Sequence, residues 1–339
     1  MKRLVEFAVL LLLISMIGCG TVPSNAVTPG ETASGVRSPS TAPTPSSVCA
    51  SPAPPRRADA AAAYDSARRV TVMFGGVASA TNTLNETWLF DGACWRQAHP
   101  TTSPAPRRLA GMAYDPVIGR SLLIGGRSQP PVQPDYPEDA WSWDGNNWTL
   151  LTDAPRLDFP VASFDAARGV IVIFGWGPAS IPETWTWDGS TWAKKSSPNS
   201  PSVYAMSGIC FDQATRSVIL YGGVSQQIAG GVSSETWLWN GTAWSKANTA
   251  HAPGPRAAPV VTCGPQTLLF GGLTSQQANV ASDTWAWNGL DWQSVATTSS
   301  PQDCCGVGVF DGNRQLVLDT VRDGTPVWQW TGSDWGKVS

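Results

Sequence analysis

The sequence predicts an all-β closed ring, a six-bladed propeller with four antiparallel strands per blade, on three observations. Seventeen of the 18 tryptophans fall in one pattern, W-x-W-[D/N]-G-x-x-W, written six times: Trp88 to Trp95, Trp141 to Trp148, Trp185 to Trp192, Trp237 to Trp244, Trp285 to Trp292 and Trp328 to Trp335. Short β-branched runs recur between the copies, and four of them end in Gly-Gly. No stretch of useful length shows helical periodicity. Units of roughly 40–50 residues that each read as four strands are the mark of propeller blades.

The chain begins with Lys2 and Arg3, then an apolar run from Leu4 to Ile17 broken by Glu6 and Ser15. A membrane-spanning helix needs about 20 apolar residues, so residues 1–18 are expected to be a secretion signal. Met16-Ile17-Gly18-Cys19 resembles the bacterial lipobox. The resemblance implies a lipid on Cys19 and a protein exported across the cytoplasmic membrane and anchored on its outer side. Residues 19–54 are almost all Ser, Thr, Pro, Ala, Gly and Val. They lack the apolar surface to offset ordering and are expected to form a disordered stalk, roughly 100 Å if extended. The ring is expected over residues 55–339, with blades near 55–98, 106–151, 155–195, 201–247, 255–295 and 301–339.

Within the third copy, Val161–Asp165 reads as a strand and Ala166–Gly169 as a turn. Val170-Ile171-Val172-Ile173-Phe174 reads as a strand buried on both faces. Glu183 to Trp187 has the period of two that puts both indoles on one face. Asp188-Gly189 is a hairpin signal, and Trp192 opens the fourth strand. The other copies repeat this order, with Tyr64-Asp65, Tyr114-Asp115, Phe211-Asp212 and Phe310-Asp311 at the first turn. The order Pro-Arg, strand, [YF]-D turn, strand, Gly-Gly, loop, [DE]-T-W and a final Trp resembles the kelch repeat of galactose oxidase-like propellers. Blade three departs from it with Gly175-Trp176, and blade six with Leu318-Asp319 and with Pro326-Val327 where the acid is expected.

A net charge of −3 and the absence of any basic run remove the electrostatic footprint of a nucleic-acid binder. Outside the cytoplasm the six cysteines other than Cys19 can oxidise. A bridge between Cys49 and Cys94 would pin the start of the ring to blade one. Cys210 fits a buried thiol equally well, and sequence alone does not choose among the pairings. No metal-ligand spacing and no cofactor motif occur. The two histidines, His99 and His251, cannot supply the copper ligands that a galactose oxidase resemblance would require. Thr186–Trp192 also resembles the Asp-box of sialidase propellers, except that Asp and Gly are adjacent, and no tyrosine–glutamate pair accompanies it. The chain is therefore expected not to be an enzyme, with a glycan-active propeller as the alternative.

The repeated tryptophans are expected to pack between sheets, each burying about 150–250 Å². Arg56, Arg107, Arg156 and Arg256 precede the first strands of blades one, two, three and five. Glu86, Asp139, Glu183, Glu235 and Asp283 open the third strands of blades one to five. First and third strands run parallel, so the two sets are expected to meet as arginine–carboxylate bridges, or to bind an anion at the channel mouth. Blade four lacks the arginine, which leaves Glu235 unpaired and predicts that its loss is tolerated better than that of Glu183. Recognition is expected on the face of the dissimilar loops Val77–Asn85, Arg127–Glu138, Val224–Ser234 and Leu273–Ser282. The opposite face is expected to be inert. The expected protein is a monomeric envelope module that binds a protein partner, with carbohydrate as the alternative ligand.

Overall fold

The computed structural model describes residues 49, 51–79, 81–128, 137–225, 231–274, 279–301 and 306–338. The leader, most of the stalk, Cys19, Cys304 and Cys305 lie outside them. All regular structure among the described residues is strand, arranged as six four-stranded antiparallel sheets. Blade one is Ala61–Asp65, Val70–Phe74, Thr87–Phe90 and Trp95–Ala98, with a small ribbon, Val77–Ser79 and Asn82–Thr83, added between its second and third strands. Blade two is Gly111–Asp115, Arg120–Ile124, Ala140–Trp143 and Trp148–Leu151. Blade three is Asp158–Asp165, Val170–Trp176, Pro182–Trp187 and Trp192–Lys195. Blade four is Gly208–Asp212, Ser217–Tyr221, Thr236–Trp239 and Trp244–Lys246. Blade five is Val260–Cys263, Thr267–Phe270, Thr284–Trp287 and Trp292–Val295, and blade six is Val307–Phe310, Gln315–Leu318, Val327–Trp330 and Trp335–Lys337.

The hydrophobic core is six layers, one between each pair of neighbouring blades, and a seventh cluster of connecting segments, Ala58, Val77, Val224, Val232, Ala257, Leu273 and Val321, against which Tyr204 and Met206 pack. Phe74 and Val72 of blade one meet Leu123 and Trp143 of blade two, and the series runs round to Trp88 and Phe90 against Leu316 and Leu318 of blade six. Second strands face a neighbour on both sides, which explains why Val72–Phe74, Leu122–Ile124 and Ile171–Ile173 are continuously apolar rather than alternating. First strands converge on the axis, closely enough that some of their positions admit only glycine. A Cβ on Gly308 would lie 2.7 Å from the Val261 carbonyl oxygen of the preceding blade.

All the repeated tryptophans are buried or half-buried, and each of the three positions has its own task. The first indole donates its N–H to the acid two residues upstream: Trp88 to Glu86, Trp141 to Asp139, Trp185 to Glu183, Trp237 to Glu235 and Trp285 to Asp283. The second fills the inter-blade layer. The third reaches back one blade to the threonine of [DE]-T-W: Trp148 to Thr87, Trp244 to Thr184, Trp292 to Thr236 and Trp335 to Thr284, all at 2.8–2.9 Å. Blade two has Ala140 at the threonine position, and Trp192 turns instead to the Thr152 carbonyl. Blade six has Val327 there, and the Trp95 indole N–H has no partner. Thr87→Val should therefore lower stability by about 1–2 kcal/mol, and Val327→Thr should raise it by about 1 kcal/mol by giving Trp95 an acceptor. Urea unfolding of the two variants measures both changes.

Among the described residues no strand passes from one end of the chain into the sheet at the other. Blades one and six each consist of consecutive strands, and the ring is closed by a strap. Cys49 and residues 51–57 run along the seam between these blades, with Ala53 packed in their shared core. The Pro54 carbonyl accepts a bond from the Thr325 hydroxyl, the Arg56 N–H donates to Asp323, and the Arg57 N–H donates to the Thr320 carbonyl. A disulfide between Cys49 and Cys94 ties the strap to the outer hairpin of blade one. A second disulfide, Cys210–Cys263, joins the first strands of blades four and five, so Cys210 is bridged rather than a free thiol.

Candidate functional site

Three arginines stitch the ring at the long-loop face. The Arg107 guanidinium is fully buried, donates to the Gly125 carbonyl at 3.1 Å and grips both oxygens of Asp139. Its own backbone belongs to the preceding blade: its N–H donates to Leu84, and its carbonyl accepts from Gly76. Each such arginine thus links two blades. Gly75 and Gly76 are required because the Arg107 carbonyl would lie 2.3 Å from a Cβ on Gly75. Arg256 repeats the arrangement with Gly271 and Asp283. In blade one the stitching residue is Arg57, which donates to Gly75 and to Glu86, whereas the Arg56 side chain takes no part.

Arg156 departs further from expectation. It is largely exposed and meets Glu138 at 3.0 Å, not Glu183. The cause is spacing: Arg57, Arg107 and Arg256 each stand four residues before the first-strand residue that pairs with the last residue ahead of the glycine (Ala61, Gly111 and Val260), and in blade three, where that residue is Val161, the place belongs to Leu157. Glu183 pairs with Lys194 on the fourth strand at 2.6 Å, and Glu235 of blade four, expected to be unpaired, meets Lys246 in the same way. Among blades one to five, lysine appears on the fourth strand only where the arginine is missing, a signal present in Trp192-Ala193-Lys194 and Trp244-Ser245-Lys246. The two acids have equivalent partners, so the expected difference between Glu183 and Glu235 does not follow from this geometry.

The acids that meet arginine are carboxylates. Burial pushes Asp139 and Asp283 up, but hydrogen bonds from Arg107 and Trp141, and from Arg256 and Trp285, outweigh it and leave both below the ordinary range. Glu86 is lowered in the same way by Trp88 and Arg57. With every stitching guanidinium engaged inside the protein, these arginines form a structural seam and not an anion-binding ring.

The channel mouth on this face is built differently. Asp59, Leu109, Phe159, Met206 and Ala258 occupy one equivalent position in blades one to five, two residues before Ala61, Gly111, Val161, Gly208 and Val260, the first-strand residues that pair with the residue preceding Gly75, Gly125, Gly175, Gly222 and Gly271. All five have a positive φ, between 48° and 59°. The blade-six counterpart, Cys305, lies outside the described residues. Backbone bonds run between neighbours in this ring, Leu109 N–H to Asp59 and Ala258 N–H to Met206. The five side chains rim a cup of about 220 Å³ at the top of the channel. Asp59 is the one ionisable residue lining it among the described residues, and it pairs with buried Arg108 at 3.3 Å.

Beside the cup, blade three breaks the repeat. Trp176, the eighteenth tryptophan, replaces the second glycine of Gly-Gly, and Tyr204 stands in the arginine place of blade four. Phe159 and Tyr204 meet edge-on at 6.3 Å, Tyr204 and Trp176 at 5.6 Å, and the Arg127 guanidinium lies 5.7 Å over the Phe159 ring. The Trp176 indole N–H donates to the Val203 carbonyl. Within the long loops, residues 80, 129–136, 226–230 and 275–278 lie outside the described set, so Gln226, Gln227, Gln276 and Gln277 are not placed. The opposite mouth holds a cavity of about 480 Å³ lined by Tyr64, Tyr114, Phe164, Phe211 and Phe310. It is not the featureless face that the short hairpins suggested.

No protein-family profile and no curated protein sequence matches the chain. Similarity is found at the level of structure. A solved structure titled "Structure of YjhT" aligns over 86% of this chain and 99% of that one, with a TM-score of 0.62 and 13% identity. That likeness shows the propeller fold. The fold accommodates many functions, so the chemistry of the mouth has to carry the functional argument.

Proposed function

We propose that this chain is a kelch-like propeller acting as a non-catalytic binding or scaffold module of the bacterial cell envelope, exported and lipid-anchored through Cys19, with its recognition surface at the long-loop mouth. The ring of left-handed residues carries this reading. Such a backbone costs a residue with a Cβ about 1–3 kcal/mol and costs glycine almost nothing. The chain uses glycine for positive φ in its outer hairpins, at Gly92, Gly145, Gly189, Gly241 and Gly289. At the mouth it places Asp, Leu, Phe, Met and Ala instead, five different side chains on one repeated backbone. Side chains kept at a conformational cost and differing between blades suit a ligand better than they suit the scaffold. The lining also favours binding over turnover, since hydrolysis of a glycoside ordinarily needs two carboxyl groups across the bond.

The test is the double variant Phe159→Gly/Met206→Gly. Relief of backbone strain should leave its melting temperature equal to or above that of the parent. Immobilised parent protein should retain an envelope component or soluble glycan that the double variant releases. Identical retention by both proteins would remove the mouth as the recognition surface. Release of chromophore from a glycoside panel above the buffer rate would overturn the non-catalytic assignment.

A further inference from the structure

We infer that the cup and the aromatic row beside it form a subsite for a neutral glycan, the terminal sugar ring in the cup and the following rings along Phe159, Tyr204 and Trp176. The inference rests on the mouth being the recognition surface, and four observations specify the ligand.

Size comes first. A cavity of about 150 Å³ holds a benzene ring, so a cup of about 220 Å³ has room for one six-membered ring with its hydroxyl groups. The second observation is polarity without charge. Below the rim the walls are small residues such as Ala60, Ala110, Ser207 and Pro259. Each blade's first strand pairs with a strand on one side only, so its other edge turns backbone N–H and C=O groups to the channel. Hydroxyl groups, which both donate and accept, match such an edge.

Third, the one ionisable wall residue among the described residues, Asp59, is neutralised by Arg108, and both side chains are about 95% buried in the pair. Among the described wall residues a carboxylate, phosphate or ammonium ligand would find no unpaired counter-charge, and the Arg127 guanidinium at the rim is already held over the Phe159 ring. Fourth, the rim on the blade-three side is aromatic and continues outward. Phe159, Tyr204 and Trp176 are half-buried, so each keeps a surface open, and the Trp176 indole N–H is already satisfied, which leaves the ring for apolar contact. Flat aromatic surfaces cover the C–H face of a pyranose while its hydroxyl groups bond elsewhere. A row of three leading away from the cup suits an oligosaccharide more than a free sugar. Trp176 and Tyr204 also stand where blades three and four depart from Gly-Gly and from the stitching arginine, and of the two only Tyr204 packs against the buried cluster under the mouth.

The probe is a printed array of neutral oligosaccharides beside the same cores bearing uronic or sialic acids, with affinities by calorimetry for whatever binds. The variants are Phe159→Gly at the cup and Trp176→Gly, which restores the Gly-Gly of the other blades and so should fold. Binding confined to neutral glycans is expected. Phe159→Gly should weaken every ligand at least about ten-fold, and Trp176→Gly only those with two or more sugar rings. Preference for the acidic glycans, or equal loss on one-ring and longer ligands with Trp176→Gly, would overturn the subsite. If no glycan binds but a captured protein is lost in both variants, the glycan inference fails and the recognition surface stands. If neither variant changes any binding, both fail.

Discussion

Arg107→Ala should lose about 3 kcal/mol of stability, while Arg156→Ala should change it by less than about 0.5 kcal/mol. Both residues follow a proline just before a first strand, and only their surroundings separate them. The Arg107 guanidinium is fully buried and bonds to Gly125 and Asp139 across a blade boundary. Its removal leaves a buried carbonyl without a donor and a carboxylate without its cation. Asp139 is about a third exposed and regains some water, which keeps the loss below that of a fully enclosed pair. Arg156 is two-thirds exposed against a half-exposed Glu138, and water replaces it at little cost. Urea unfolding of the two variants gives the comparison, and equal losses would refute the stitch.

The same pairs set an acid limit. Asp139 and Asp283 sit below the ordinary 3.8, and Glu86 below the ordinary 4.5. A depressed folded-state value means that stability from these pairs is fully present above the unfolded value and is lost as pH falls through the folded one. The ring should therefore hold its stability down to about pH 4.5 and lose it progressively below. Arg107→Ala should lose less of what remains on acidification, because one of the depressed carboxylates has been released.

Opening the Cys49–Cys94 bridge is the second change with a large expected effect. It spans 45 residues, for which loop-closure entropy gives about 4 kcal/mol. For a ring of this size that corresponds to a fall in melting temperature of roughly 8–15 °C. Location adds a second signature. The bridge anchors the strap that closes blade one on blade six, where no shared strand does so. In Cys49→Ser, early proteolysis should therefore concentrate at residues 49–57 and at the seam. The Cys210–Cys263 bridge joins strands that already pack side by side, and Cys210→Ser should show no such local opening. Scanning calorimetry and timed proteolysis with mass spectrometry read both effects. Uniform cleavage around the ring in Cys49→Ser would exclude the seam as the weak point.

Much of the fold was legible because local chemistry dictates it. The Asp-Gly hairpins, the β-branched second strands and the unchanging tryptophan spacing each specify a strand or a turn within a few residues. Their sixfold repetition then gives the blade count. The arginine stitch was half legible. The residue types were right, but the place had to be counted back from a strand whose start the sequence leaves loose by a residue. Arg56 and Arg156 were therefore aligned where Arg57 and Leu157 belong. The lysines that replace the missing arginines were visible as Lys194 and Lys246, but their partners emerge only when third and fourth strands pair. The threonine that receives the next blade's indole was written in every [DE]-T-W, and its role needs the neighbouring blade.

What the sequence by itself determined is therefore whatever repeats within a blade: strand order, turn chemistry, the tryptophan layers and the number of sheets. What only the tertiary structure decided lies between blades. That comprises the strap across the seam, the Cys210–Cys263 bridge, the pairing of each acid, and the rim of left-handed residues around the cup. The physical reason is distance along the chain. A hairpin is set by residues a few positions apart, whereas Arg57 meets Thr320, and Phe159 meets Tyr204, only after six sheets have closed on one another.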